Sequence, residues 1–171
     1  MTATLQAAIA AHRFGLGEAD LSVVGPDPAA WLKRQVGPAD AQGTNLASAA
    51  DGLRAQVENR RRLAAAAAAS AASGADPAQP TPPAASAAAI EARDELRDIV
   101  QGDIRARLLT AATTPRPFAE RLAMFWANHF TVTLLKGTTR GLVGAFEREA
   151  IRPHIGGRFI DLLRAATTHP A

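Results

Sequence analysis

The sequence has no cysteine, no tyrosine, only two lysines and no run of about 18 apolar residues. Without cysteine it can carry no disulfide framework, zinc ribbon, iron–sulfur ligation or thiol nucleophile. Without a long apolar run no membrane span is predicted. The opening MTATLQAAIAAHRFGLG lacks the cationic start and apolar core of a secretory leader, so the chain reads as soluble and cytoplasmic. The missing tyrosine and cysteine also account for a pI near 10.5 on a formal charge of only +3. With seventeen arginines, almost nothing loses a proton between about pH 8 and 12, and a small positive excess persists. The high pI is therefore not a nucleic-acid signature; no nucleic-acid reader motif is present, and no nucleic-acid partner is expected.

The usual catalytic signatures are absent as well. Gly15-Leu16-Gly17 lacks a third glycine and a preceding strand, and no phosphate loop, zinc-binding HExxH or GxSxG elbow occurs. All five serines, Ser22, Ser48, Ser70, Ser73 and Ser86, precede the aromatic C-terminal part, which leaves a serine nucleophile without a setting.

What the chain does contain is alanine, about a quarter of its 171 residues, and helical periodicity. Residues 5–14 predict a short helix closed by Gly15 and Gly17. Asp27 caps a second helix that begins at Pro28 and carries Trp31, Leu32 and Val36 inward. Residues 45–73 permit a long alanine-rich helix along Leu46, Leu53 and Val57, and 87–112 a further one along Leu96, Ile99, Val100, Ile104 and Leu108. Asp94/Arg97 and Asp103/Arg107 fall on the solvent side of that last helix. The four prolines of 73–86 predict an extended linker between the two long helices, which together form a hairpin. After Pro117, Phe118, Leu122, Phe125, Trp126 and His129 recur as one broad stripe, taken as the core face. Residues 131–135 read as a helix end and loop, 139–152 as one helix and 157–168 as the last. The predicted fold is all-α: an irregular bundle of about six helices with an Ala-rich hairpin and a disordered Pro/Ala linker. Its parts are an N-terminal segment 1–36, a low-complexity segment 37–89 and a helical core 90–171.

Candidate chemistry collects in the core segment. Residues 111–171 hold eight Lys/Arg against four Asp/Glu, an excess of four. His129, His154 and His169 could meet Glu149 as a metal or acid–base site, because imidazole and carboxylate are the groups such sites use near neutral pH. Arg148 and Arg152 could then orient an anion. Against this stand ordinary structural roles: His129 donating to a carbonyl inside the core, His154 capping a turn, His169 at a helix C-terminus, and the arginines pinning helix ends. Glu147 and Glu149 point about 200° apart on an α-helix and cannot converge. No cofactor can be named from these residues.

RLAMFWANHFTVTLLKG (121–137) and REAIRPHIGGRFIDLLRAATTHPA (148–171), with HRFGLG (12–17) and DPAAWLKRQV (27–36), resemble the bacterial domain-of-unknown-function family number 1800. The matching positions are Trp126, Asn128, His129, Lys136, Arg148, Glu149, Arg152, Pro153, His154, Phe159, His169 and Pro170. The resemblance implies a protein of several hundred residues, of which this chain corresponds to the N-terminal third, truncated at its C-terminal end. The stop at His169-Pro170-Ala171 and the apolar stripes on every C-terminal helix then point to a chain that is non-catalytic alone and whose partner is the remaining C-terminal part or a second copy. The alternative is an enzyme whose His/Glu/Arg site is completed by that missing part.

Overall fold

A computed structural model describes residues 2–72 and 83–171. Among these residues the fold is all-α, with seven α-helices and no strand. They are α1 (Ala3–Phe14), α2 (Pro28–Lys33), α3 (Ala49–Ala72), α4 (Pro83–Thr113), α5 (Pro117–His129), α6 (Val143–Phe146) and α7 (Phe159–Thr168). A 3-10 turn spans Leu21–Val23, and a π-helical turn spans Glu147–Ile151 directly after α6. The chain divides into two compact units. The first comprises Met1–Thr44, Arg105–Thr131 and Phe146–His169; the second comprises Asn45–Ile104, Val132–Ala145 and Pro170–Ala171.

Local chemistry explains most helix starts. Asp27 Oδ1 accepts from Ala30 N at 3.0 Å, and Pro28 occupies the first helical position, where no N–H is required. Pro117 opens α5 in the same way. At α3, Ser48 and Asp51 form a reciprocal cap: Asp51 N donates to Ser48 Oγ at 3.2 Å and Asp51 Oδ2 accepts from Ser48 N at 2.9 Å. The Ser48 hydroxyl, then the Ser48 N–H, hold the Asp51 carboxyl below its ordinary range. A depressed folded-state value means that this cap contributes fully above about pH 4 and is lost as pH falls through the lower folded value. Helicity measured by circular dichroism between pH 5 and 3 should therefore fall more in the wild type than in Asp51→Asn, which lacks the charged cap throughout. Ser48→Ala should cost about 1 kcal/mol at neutral pH.

In the first unit, Ala7, Ala10 and Ala11 of α1 pack with Val24 and Trp31, flanked by Phe14, Leu21 and Leu32. Phe14 meets Phe118 edge to face at 5.8 Å, and Arg121 of α5 donates to Gly15 O at 2.8 Å. In the second unit, α3 crosses the 140–142 turn at Gly52, where a Cβ would collide with the Gly141 carbonyl. Gln56 Nε2 then donates to Arg140 O at 2.7 Å. Ala49, Leu142 and Ala145 form the nearby core, and Leu96 of α4 reaches Gly141.

Several expected faces are turned differently. Val36, Leu53, Val57, Ile104 and Leu108 are exposed, whereas α3 buries Ala49, Gly52, Ala55 and Gln56. In α5 the buried face is Pro117, Ala119, Glu120 and Ala123, and Phe125 and His129 lie outside. Among the described residues, nine of the seventeen buried apolar ones are alanine. Small side chains let backbones approach closely, so the tightest contacts form on faces that a hydrophobic stripe does not mark. Asp103 is buried beside Gly144 rather than solvent-facing, and Arg107 reaches Glu147. The helix expected over 139–152 is instead α6 followed by the π-helical turn. Of the predicted linker, 73–82 lie outside the described residues. Residues 83–86 form the first turn of α4, since Pro83 suits a helix start.

Candidate functional site

The densest polar constellation lies inside the first unit and is built around Arg152. In an α-helix, residues five apart point about 140° away from each other. The π-helical turn, closed by Arg152 N donating to Glu147 O at 2.9 Å, widens the helix by one residue and swings both side chains inward. Arg152 Nη1 then donates to Glu147 Oε1 at 3.2 Å. From α5, Glu120 takes the guanidinium in a two-pronged pair, Nη1 to Oε1 at 3.0 Å and Nη2 to Oε2 at 2.5 Å. The side chains of Arg152 and Glu120 are only 3% and 1% exposed.

The remaining bonds tie in the segment after α2. Arg152 Nε donates to Asp40 O at 2.8 Å, Ala39 N donates to Arg152 O at 2.9 Å, and Gln42 Nε2 donates to Glu147 Oε1 at 2.6 Å. Arg107 of α4 stands 3.3 Å from Glu147 Oε2, so two arginines balance two carboxylates. Burial pushes the Arg152 guanidinium down, but hydrogen bonding and charge from Glu120, followed by the charge of Glu147, outweigh it and hold the group above the ordinary arginine value. Beside this cluster, Arg116 bonds Gln35 O, Pro38 O and Asp40 Oδ1 at 2.8–3.0 Å. Gln35 Oε1 accepts from Phe118 N at 2.8 Å. Among the described residues no buried side-chain polar atom of this cluster lacks a hydrogen-bond partner, so the arrangement serves as a clamp joining three chain segments.

The histidines are distributed around this clamp. His169 Nε2 lies 3.2 Å from Glu149 Oε2, and its ring sits edge-on to Phe146 at 5.3 Å, with the side chain only 6% exposed. These two are the members of the predicted set that the fold brings together. His154 Nδ1 sits 3.0 Å from Ala150 O, one turn back along the chain. His129 is exposed at the end of α5, stacked with Phe125 at 6.2 Å and edge-on to Trp126 and Phe130 at 5.5 and 5.0 Å. Trp126 also stacks on Phe130 at 5.9 Å and meets Phe159 of α7 at 5.7 Å. Arg148 is half-buried on the π-helical turn and has an interaction partner. Among the described residues no three His, Asp or Glu side chains gather to hold a metal ion.

Residues 9–171 match the family described as a protein of unknown function, DUF1800. The chain belongs to the DUF1800 family. No curated protein and no solved structure matches it. In this DUF1800 chain, Arg152 is a clamp residue, while Glu120 and Glu147, its partners, were not singled out by periodicity. The available signal for Glu120 was its place between Ala119 and Ala123 on a small-residue face. An α-helix would turn Glu147 away from Arg152, and the π-helical turn brings the two together. No helix among the described residues is long and apolar enough to cross a membrane.

Proposed function

We propose that this DUF1800 chain is a non-catalytic helical module that acts by binding another polypeptide through the aromatic face of α5 and α7. Half of its eight Phe and Trp residues, Phe125, Trp126, Phe130 and Phe159, join in one ring cluster that leaves Phe125 57% and Phe159 54% exposed. Exposed contiguous apolar surface of this kind is uncommon on an isolated domain and marks an interaction face. Ile160, next to Phe159 in sequence, is also exposed. The occupant is the further polypeptide of a longer family member, supplied in the same or a separate chain.

Two measurements test this. The chain alone should bind a hydrophobic dye, and Phe125→Ser with Phe159→Ser should remove most of that binding without loss of helicity. Light scattering over a range of concentrations separates self-association from a requirement for a different chain. A monomer with a sharp, concentration-independent melt and no dye binding would overturn the reading. The competing reading, an acid–base enzyme, draws support from the His169–Glu149 pair, which has the hydrogen-bond geometry of a base and its orienting carboxylate.

A further inference from the structure

A second exposed feature, in the other unit, has a different chemistry. The loop 133–137 turns Leu135 almost wholly into solvent, 94% exposed, with Leu134 also exposed beside it. The loop is braced. Leu135 N donates to Thr133 Oγ1 at 3.2 Å, Thr139 N donates to Lys136 O at 3.2 Å, and the Thr139 hydroxyl faces the carbonyls of Thr133 and Lys136. The Arg140 carbonyl is held in turn by Gln56. The leucine is thus presented to solvent on a hydrogen-bonded turn.

Along the sequence the charge flanking the tip is of one sign, and in space Arg140 also lines a pocket with Asp94 and Arg97 of α4. Between Glu120 and Glu147 the sequence has no Asp or Glu, while Lys136 and Arg140, both exposed, flank the leucines. Lys136 is one of only two lysines in the chain. A protruding leucine suits a receiving phase that deforms around it, and the exposed cations on either side of it favour a surface of negative charge. We propose that the 133–137 loop docks this protein onto an anionic lipid surface, with Leu134 and Leu135 entering the acyl boundary and Lys136 and Arg140 meeting lipid phosphates. Such docking is peripheral and reversible, because two leucines bury less apolar surface than a single acyl chain, which by itself anchors only marginally.

Flotation of the full chain with vesicles tests it. The protein should float with vesicles of phosphatidylcholine plus phosphatidylglycerol, remain in solution with phosphatidylcholine alone, and release at high salt. Lys136→Ala and Arg140→Ala should each weaken binding about fivefold. Leu135→Asp should weaken it more than tenfold, with unchanged circular dichroism. Leu135→Trp should bind at least as well and show blue-shifted emission on the anionic vesicles. Absence of binding to anionic vesicles, equal binding to neutral ones, or indifference to Leu135→Asp would overturn the proposal. So would a soluble protein captured through this loop in place of lipid.

Discussion

Arg152→Ala is expected to destabilise the chain by about 3–5 kcal/mol, because it leaves Glu120 buried without the guanidinium that takes both its oxygens and strips one donor from Glu147. On a domain whose total stability is about 5–15 kcal/mol, this is a large fraction. It would appear as a lower urea midpoint at a nearly unchanged slope. Arg152→Lys should recover only part of the loss, since an ammonium cannot reproduce the two-pronged contact with Glu120 and the bond to Asp40 O together. The double variant Arg152→Met with Glu120→Leu should regain much of the stability by removing the unpaired charge, although Glu147 keeps only Gln42 and Arg107. An Arg152→Ala unfolding free energy within about 1 kcal/mol of wild type would show that the clamp is not a stabilising element. The raised guanidinium value adds no pH dependence in the working range. Its contribution is present at all lower pH and is lost only as pH climbs through the elevated folded value.

The second large effect is expected at Gly156. A Cβ there would lie 2.5–2.7 Å from the Cα, C and N atoms of Gly37, closer than side-chain carbons come to backbone. Neither partner is a flexible side chain that could move aside, so Gly156→Ala must push the two backbones apart. The Ala39 N–H bond to Arg152 O lies two residues beyond Gly37, and the separation would strain this attachment of the clamp. The expected cost is about 1–3 kcal/mol or more, the range for overpacking a close contact. Gly157→Ala supplies the control, because its Cβ would meet only the His154 carbonyl at 3.5 Å, an ordinary contact. If thermal melts gave equal losses for the two alanine variants, helix-turn conformation rather than backbone approach would be the cause. Gly37 itself adopts φ 139°, a region that side chains avoid, so Gly37→Ala should also destabilise.

Both effects concern contacts between segments far apart in sequence, where periodicity gives little guidance. The local features were legible. Asp27 before Pro28, Pro117 at the head of α5 and the Asp94/Arg97 pair, found at 3.0 Å, all depend on residues within one or two turns of each other. The wide aromatic stripe of α5 was legible as a pattern but misleading as a direction. Phe125 and His129 face outward and Phe118 and Trp126 are only half-buried, while Ala119, Glu120 and Ala123 face inward. Hydrophobic periodicity measures where apolar volume lies. Close packing selects for small volume, and a buried ion pair contributes no apolar signal at all.

For the candidate site, the sequence marked Arg152, Glu149 and His169 as residues of interest, and their types alone indicated charge pairing. Which partner each one takes was decided by tertiary structure. Glu149 meets His169 across twenty residues, and Arg152 takes Glu120 across thirty-two. It also takes Glu147 five residues back, through a turn that is not α-helical. By itself the amino-acid sequence determined the all-α class, the helix starts and the absence of thiol chemistry, because each follows from residues acting on their immediate neighbours. The clamp, the partly exposed aromatic face and the exposed leucine tip were decided by the fold, because each depends on which surfaces distant segments bury against one another and which they leave uncovered.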